Sequence, residues 1–376
     1  MSISHKALSC GLMALLTAAA LSACSPAAKK AEAPASDSAA AAPATGVAKN
    51  TFNIGWSIYA GWMPWPYAEQ AGIVKKWEDK YGIKINIIQV NDYVESINQY
   101  TAGKLDGVTV TNMDALTIPA AGGKDTSAII IGDYSNGNDG IIMKDAKSLS
   151  AIKGQTVNLV EFSVSHYLLA RGLEMSGLKL SDVKTVNTGD ADIVSAFASP
   201  DIKNVVTWNP QLSQLKKVKG ATEVFDSSKI PGEILDLMAV DTATLKANPK
   251  LGKALAGIWF DTMKIMTAKT PEGAKARAAM AALSGTTPAD FDSQLSTTYL
   301  YATPDAAVKE FDSQALEDTM DKVRKFSFAK GLYGPSATSV DAIGIAFPGN
   351  KTLGDASHVT LRFDPTYTEE AENNTL

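Results

Sequence analysis

Cysteine, histidine and arginine are all scarce in this chain of 376 residues. The two cysteines, Cys10 and Cys24, lie close to the N-terminus, which excludes a disulfide framework, a cysteine nucleophile and a thiolate metal site in the body. The histidines are His5, His166 and His358, too few for a histidine-rich zinc site, and no motif supports a mixed histidine and carboxylate one. Only Arg171, Arg277, Arg324 and Arg362 carry a guanidinium, and the formal net charge is -5. Nucleic acid is therefore not an expected partner, nor is an anion that needs an arginine fork. No P-loop, dinucleotide fingerprint or Gly-x-Ser-x-Gly elbow occurs. Residues 133–140, Asp-Tyr-Ser-Asn-Gly-Asn-Asp-Gly, have a calcium-loop composition without EF-hand spacing or a terminal glutamate, and read as turn chemistry near a hinge. No cofactor and no metal are expected. What remains is 45% hydrophobic and 20% charged, an ordinary globular composition long enough for two cores.

The N-terminus carries a polar start at His5 and Lys6 and then an apolar run over 7–21, too short for the roughly 20 residues of a membrane span. This pattern reads as a secretory signal. Its end, Leu21-Ser22-Ala23-Cys24, resembles the lipobox of bacterial lipoproteins. That resemblance implies acylation at Cys24, an anchor in a bacterial membrane and a periplasmic or otherwise extracytoplasmic location. Residues 25–50 are mostly Ala, Pro and Ser and read as a flexible tether spanning roughly 28 Å.

Beyond residue 50, apolar β-type runs alternate with segments of helical period. Strands are expected at 52–56, 83–90, 108–110 and 128–131, with a helix over 68–80 and a helical face at Tyr93, Ile97 and Tyr100. A second such unit runs through strands at 155–160, 183–186 and 205–207. From about 245 the chain turns helical, and it ends with a strand-like pair at 343–347 and 359–363. Such alternation predicts α/β architecture. The order suits a two-lobed plan, with residues 51–137 and 238–376 as a discontinuous first lobe, 138–237 as the second, and hinge strands between.

Several local motifs then gain meaning from their order. Gly55-Trp56, Ala71-Gly72-Ile73, Lys80-Tyr81-Gly82-Ile83, Gly103-Lys104-Leu105-Asp106, the run at 149–157 and Val206-Thr207-Trp208-Asn209-Pro210 resemble the nitrate/sulfonate/taurine class of ABC-importer substrate-binding proteins. The resemblance implies a type II periplasmic-binding-protein fold, a monomeric receptor, and permease and ATPase partners. The aromatic segment 56–65 and the tail from Phe347-Pro348-Gly349 to Leu361-Arg362-Phe363 resemble a urea-type branch of that class, linked to urea and guanidine carboxylase systems. Guanidinium is thus an implied ligand.

The residues bear on the ligand independently. In open α/β sheets, ligands meet the carboxyl ends of strands. The first such end offers Trp56, Tyr59, Trp62 and Trp65, with Pro64 and Pro66 expected to keep the stretch from being helical. The second offers Asp114, the third Glu161, and the fourth Trp208; Asp139, Glu233 and Asp236 lie near the expected crossings between lobes. Aromatic faces attract cations by roughly 0.5 to 2 kcal/mol each. With carboxylates and almost no arginine, the set favours a small planar cation. Urea, a nitrate, sulfonate or taurine-type ligand, and an enzyme on the same fold are the alternatives.

Overall fold

The computed structural model describes residues 48–376. Cys24, the leader and most of the tether lie outside the described residues.

Fourteen strands are described, in two sheets. The chain begins with β1 (Thr51–Trp56), β2 (Lys84–Gln89), β3 (Gly107–Thr111) and β4 (Thr126–Ser135). It then crosses into β5 (Asp139–Lys144), β6 (Thr156–Leu159), β7 (Lys184–Asn187), β8 (Asn204–Trp208) and β9 (Ala221–Asp226). The return strand is β10 (Leu235–Asp241), followed by β11 (Thr298–Leu300), β12 (Gly344–Phe347), β13 (Lys351–Leu353) and β14 (Val359–Phe363). The larger sheet has the order β13-β12-β14-β4-β10-β3-β1-β2, with β11 added on β4, and the smaller has the order β7-β6-β8-β5-β9.

Strand β3 is buried along its whole length and β4 and β10 along almost all of theirs, as expected where helices cover both faces. Strand β10 runs antiparallel to both neighbours, and this places its first residues beside the last residues of β3 and β4. The tail joins the larger sheet, because β14 pairs in parallel with β4 and β12 pairs in parallel with β14.

The chain passes between sheets twice, at 136–138 and at 227–234. Ser227 ties the crossings together: its hydroxyl lies 2.6 Å from Ser135 Oγ and accepts from the Gly137 amide at 2.8 Å. The boundary expected at 237/238 falls inside β10, three residues after that strand has already joined the larger sheet. The turn expected over 133–140 is also different. Its outer residues are the ends of β4 and β5, and only 136–138 form the connection, held by Asn138 Nδ2 donating to the Thr297 carbonyl at 3.1 Å.

Two helices stand where one was expected. Pro64–Gln70 and Ile73–Tyr81 are separated at Gly72, whose φ of 75° is accessible to glycine without a Cβ penalty. Pro64 and Pro66 do not prevent the first helix. They occupy its first turn, where backbone N–H groups have no intrahelical partner to lose.

Candidate functional site

A small cavity, of about 20 Å³, lies between the two sheets. Tyr59, Trp62, Tyr93, Thr111 and Asp236 line it from the first lobe; Asp139, Val164 and Trp208 line it from the second, and Ile234 from the returning crossing. Sheet register explains the meeting. Asp139 and Trp208 are direct partners in the β5/β8 ladder, while Asp236 is paired with Thr111 on one side and Asp133 on the other.

Four rings form a continuous series across the gap between lobes. Tyr59 meets Trp62 edge-on at 5.2 Å, Trp62 is tilted on Tyr93 at 5.6 Å, and Tyr93 meets Trp208 edge-on at 5.6 Å. All four are buried, so the lobes are closed over the cavity.

Its charge is one-sided. Asp133, Asp139 and Asp236 are only 0%, 3% and 4% exposed, and no lysine, arginine or histidine lines the cavity. The Tyr59 hydroxyl donates to Asp133 Oδ1 at 3.0 Å, while Asp133 Oδ2 is buried without a hydrogen-bond donor. A Cβ on Gly61 would collide with that oxygen, so glycine is what permits the close approach. Burial pushes Asp133 up to about 7 against the opposing effect of the Tyr59 hydroxyl. It likewise pushes Asp139 up to about 7. Asp236 is raised well above the usual carboxylate range, by burial first and then by the neighbouring Asp133 and Asp139.

Asp114 stands one layer behind the cavity. It is fully buried, with Oδ2 accepting from the Tyr93 hydroxyl at 2.7 Å and from Thr111 Oγ1 at 2.9 Å, so it orients two lining side chains. The backbone N–H of Val164, from the second lobe, also reaches Oδ2 at 3.4 Å. Burial raises Asp114 to about 6 although these donors oppose it.

The other sequence-predicted residues separate from this group. Trp56 is buried at the end of β1 and does not line the cavity. Trp65 packs on Trp259 at 5.4 Å and lines a smaller cavity behind the first, together with Trp62, Asp133 and Asp236. Glu161 faces a groove on the other side of the helix start and accepts from the Thr185 hydroxyl. Glu233 is taken up by an ion cluster: Tyr167 donates to it at 2.7 Å, Arg171 Nε at 2.8 Å and Lys322 Nζ at 3.0 Å. Burial would raise its pKa, but these three donors together hold it below the ordinary value. Tyr93 and Asp133 were absent from the expected set. The available signal for Asp133 was an acid closing the apolar strand Ile129-Ile130-Ile131-Gly132.

A match to the NMT1-like family covers residues 54–283, well over half the chain. The chain belongs to the NMT1-like family. Sequence relatives include proteins of Brucella abortus and Brucella suis named provisionally as binding proteins, each 29% identical over 154 residues. That match takes in 40% of this chain and spans about half the length (47%) of each relative. Among solved structures, the alkanesulfonate-binding protein of Xanthomonas axonopodis pv. citri, bound to MOPS, superposes with a TM-score of 0.64 at 16% identity, covering 77% of this chain and 96% of its own. The aliphatic sulphonate-binding protein of Escherichia coli gives 0.63 at 15%, covering 77% and 95%, and the nitrate-binding protein of Synechocystis PCC 6803 gives 0.53 at 12%, covering 87% and 98%. These three neighbours are named as binding proteins. The fold is the two-lobed α/β fold of periplasmic binding proteins. Among the described residues, no helix is long and apolar enough to cross a membrane.

Proposed function

We propose that this member of the NMT1-like family is a non-enzymatic, extracytoplasmic substrate-binding receptor of an ABC importer, and that its cargo is a small planar organic cation, guanidinium best of all. In this reading Cys24 bears the lipid anchor, residues 25–50 are the tether, and the lobes close about the two crossings to deliver cargo to a permease and its ATPase.

The observation that carries the ligand assignment is the lining itself: buried carboxyl groups and aromatic faces with no basic side chain among them. The solved neighbours are named for sulfonates and nitrate. An anion in this cavity would meet buried acids with nothing to compensate it, at a cost far above that of a paired charge. A planar cation can instead lie against the rings and donate to Asp139 and Asp236. Hydrogen bonds to charged groups contribute about 1.5 to 3 kcal/mol each and desolvated cation-π contacts about 2. A ceiling near 1.5 kcal/mol per heavy atom limits a four-atom ligand to about 6 kcal/mol, or tens of micromolar.

One feature favours a neutral ligand instead. Trp62 Nε1 is buried without an acceptor, and the carbonyl of urea would supply one. Calorimetry with guanidinium, urea, nitrate and taurine separates the readings. Guanidinium is expected to bind at least a hundredfold more tightly than urea; equal binding of the two, or tight binding of nitrate, sinks the cationic reading.

A further inference from the structure

We propose that Asp133 and Asp236 form a proton-sharing carboxyl pair whose proton is released to solvent when the cation enters, so that binding exchanges a cation for a proton. The inference rests on the cationic reading of the cavity and adds to it the device that selects for charge.

The two residues are direct partners across the β4/β10 ladder, both buried, and both line the smaller cavity behind the main one. Asp236 also lines the main cavity, so the pair connects the ligand position to the sheet interior. The titratable groups that face the pair are Tyr59 and Asp139, with Asp114 and Tyr93 behind Thr111. All four are acids. With no base to balance them, two adjacent ionised carboxylates in this position would repel each other through a medium that screens poorly. Holding one proton between them relieves that repulsion, as in any pair of carboxyls forced together.

A monovalent cation changes the balance by one charge. Once it is seated, the carboxyl O–H bond breaks, the electron pair stays on the carboxylate oxygen, and the proton passes to the buffer. The enclosed charge is the same before and after. A neutral planar ligand brings no charge, so it leaves the proton in place. Below neutrality the proton competes with the cation; above it, competition disappears while urea gains nothing. Selectivity for guanidinium over urea therefore widens as pH rises.

The test is calorimetry on the unaltered protein with guanidinium chloride and with urea, from pH 5.5 to 8, in phosphate and in Bis-Tris, replaced by Tris above pH 7.2, whose ionisation enthalpies differ from that of phosphate. Expected are release of close to one proton per guanidinium near pH 6.5, an affinity for guanidinium that climbs about tenfold per unit between pH 5.5 and 6.5 and levels off towards pH 8, and urea binding that does not climb. Asp133→Asn, which removes one member of the pair without touching the main cavity, is expected to abolish proton release and Glu161→Gln to retain it; circular dichroism of each variant establishes that it is folded. Tight guanidinium binding with no proton release at any pH overturns the exchange and leaves the cationic site standing. Absence of guanidinium binding throughout overturns both.

Discussion

At the scale of single residues, the site turns on which carboxyl groups face the cavity and which are turned to other partners. Asp139 and Asp236 line the cavity with no basic neighbour, whereas Glu161 has Thr185 and Glu233 has Tyr167, Arg171 and Lys322. All four look alike in the sequence, each an acid near a strand end or a crossing. Their partners are 24 to 89 positions away for Glu161 and Glu233, and no local pattern encodes pairings at that range. Tyr59, Trp62 and Trp208 were legible because aromatic residues after a strand end have few places to go in an α/β sheet. Tyr93 was read only as part of a helix face, and Asp133 was hidden among turn-forming residues that proved to be strand ends. The contrast sets the first prediction. Asp236→Asn or Asp139→Asn should each weaken guanidinium binding by about 2 to 5 kcal/mol, since either leaves the cation underpaired. Glu161→Gln should leave affinity within about twofold. Titration calorimetry reads both, and a Glu161→Gln loss as large as that of Asp236→Asn would place the ligand elsewhere.

At the scale of elements, two helices on opposite lobes are joined through Glu233. Val164–Met175 supplies Tyr167 and Arg171 from the second lobe, and Gln314–Ala329 supplies Lys322 from the first. Phe326 of the latter helix also meets the Tyr167 ring edge-on at 5.2 Å. Helix Val164–Met175 additionally sends its first N–H to Asp114. Closure is thus fastened on both sides of the cavity by contacts between side chains on ordinary amphipathic segments. Their periodicity revealed the helices, yet it carried no information about which faces meet. Glu233→Gln should lower stability by about 1 to 3 kcal/mol, a range held down because Arg171 and Lys322 are partly exposed and screened. The contribution of Glu233 has a definite pH sign. A carboxyl held below its unfolded pKa stabilises above that value and loses its effect as pH falls through the folded one, so the variant and the parent should converge in acid. Thermal unfolding is the measurement to use, because both common chemical denaturants are candidate ligands. An unchanged midpoint at pH 7 would show that the cluster does not fasten the lobes.

At the scale of the whole molecule, the alternation of strand and helix was enough to indicate two α/β units, since the two periods differ and both recur. The helix beginning at Pro64 and the glycine break at Gly72 were less legible, because a first-turn proline and a helix-breaking proline are the same residue until the hydrogen bonds are drawn. Ligand charge is not a property of the fold at all: neighbours at 12 to 16% identity share the architecture and are named for anions. In the proposed reading it is set by the enclosed acids, and they make the closed form itself sensitive to pH. Asp114, Asp133 and Asp139 titrate at about 6, 7 and 7 when buried, against 3.8 when free. A group raised in this way binds its proton more tightly in the closed protein, so its contribution is fully present below about pH 4 and is lost as pH climbs through 6 and 7. Without ligand, the closed form should therefore weaken between pH 5 and 8, either by a fall in the thermal midpoint of about 5 °C or more, or by opening of the lobes to let water reach the carboxylates. Saturating guanidinium at pH 8 should reverse whichever occurs, because the cation supplies the charge that the protons had provided. Differential scanning calorimetry and small-angle scattering on the same samples read the two outcomes. A midpoint and a radius of gyration that both stay flat from pH 5 to 8 without ligand would mean that the carboxyl groups are already compensated, and that the cavity is not the seat of a cation.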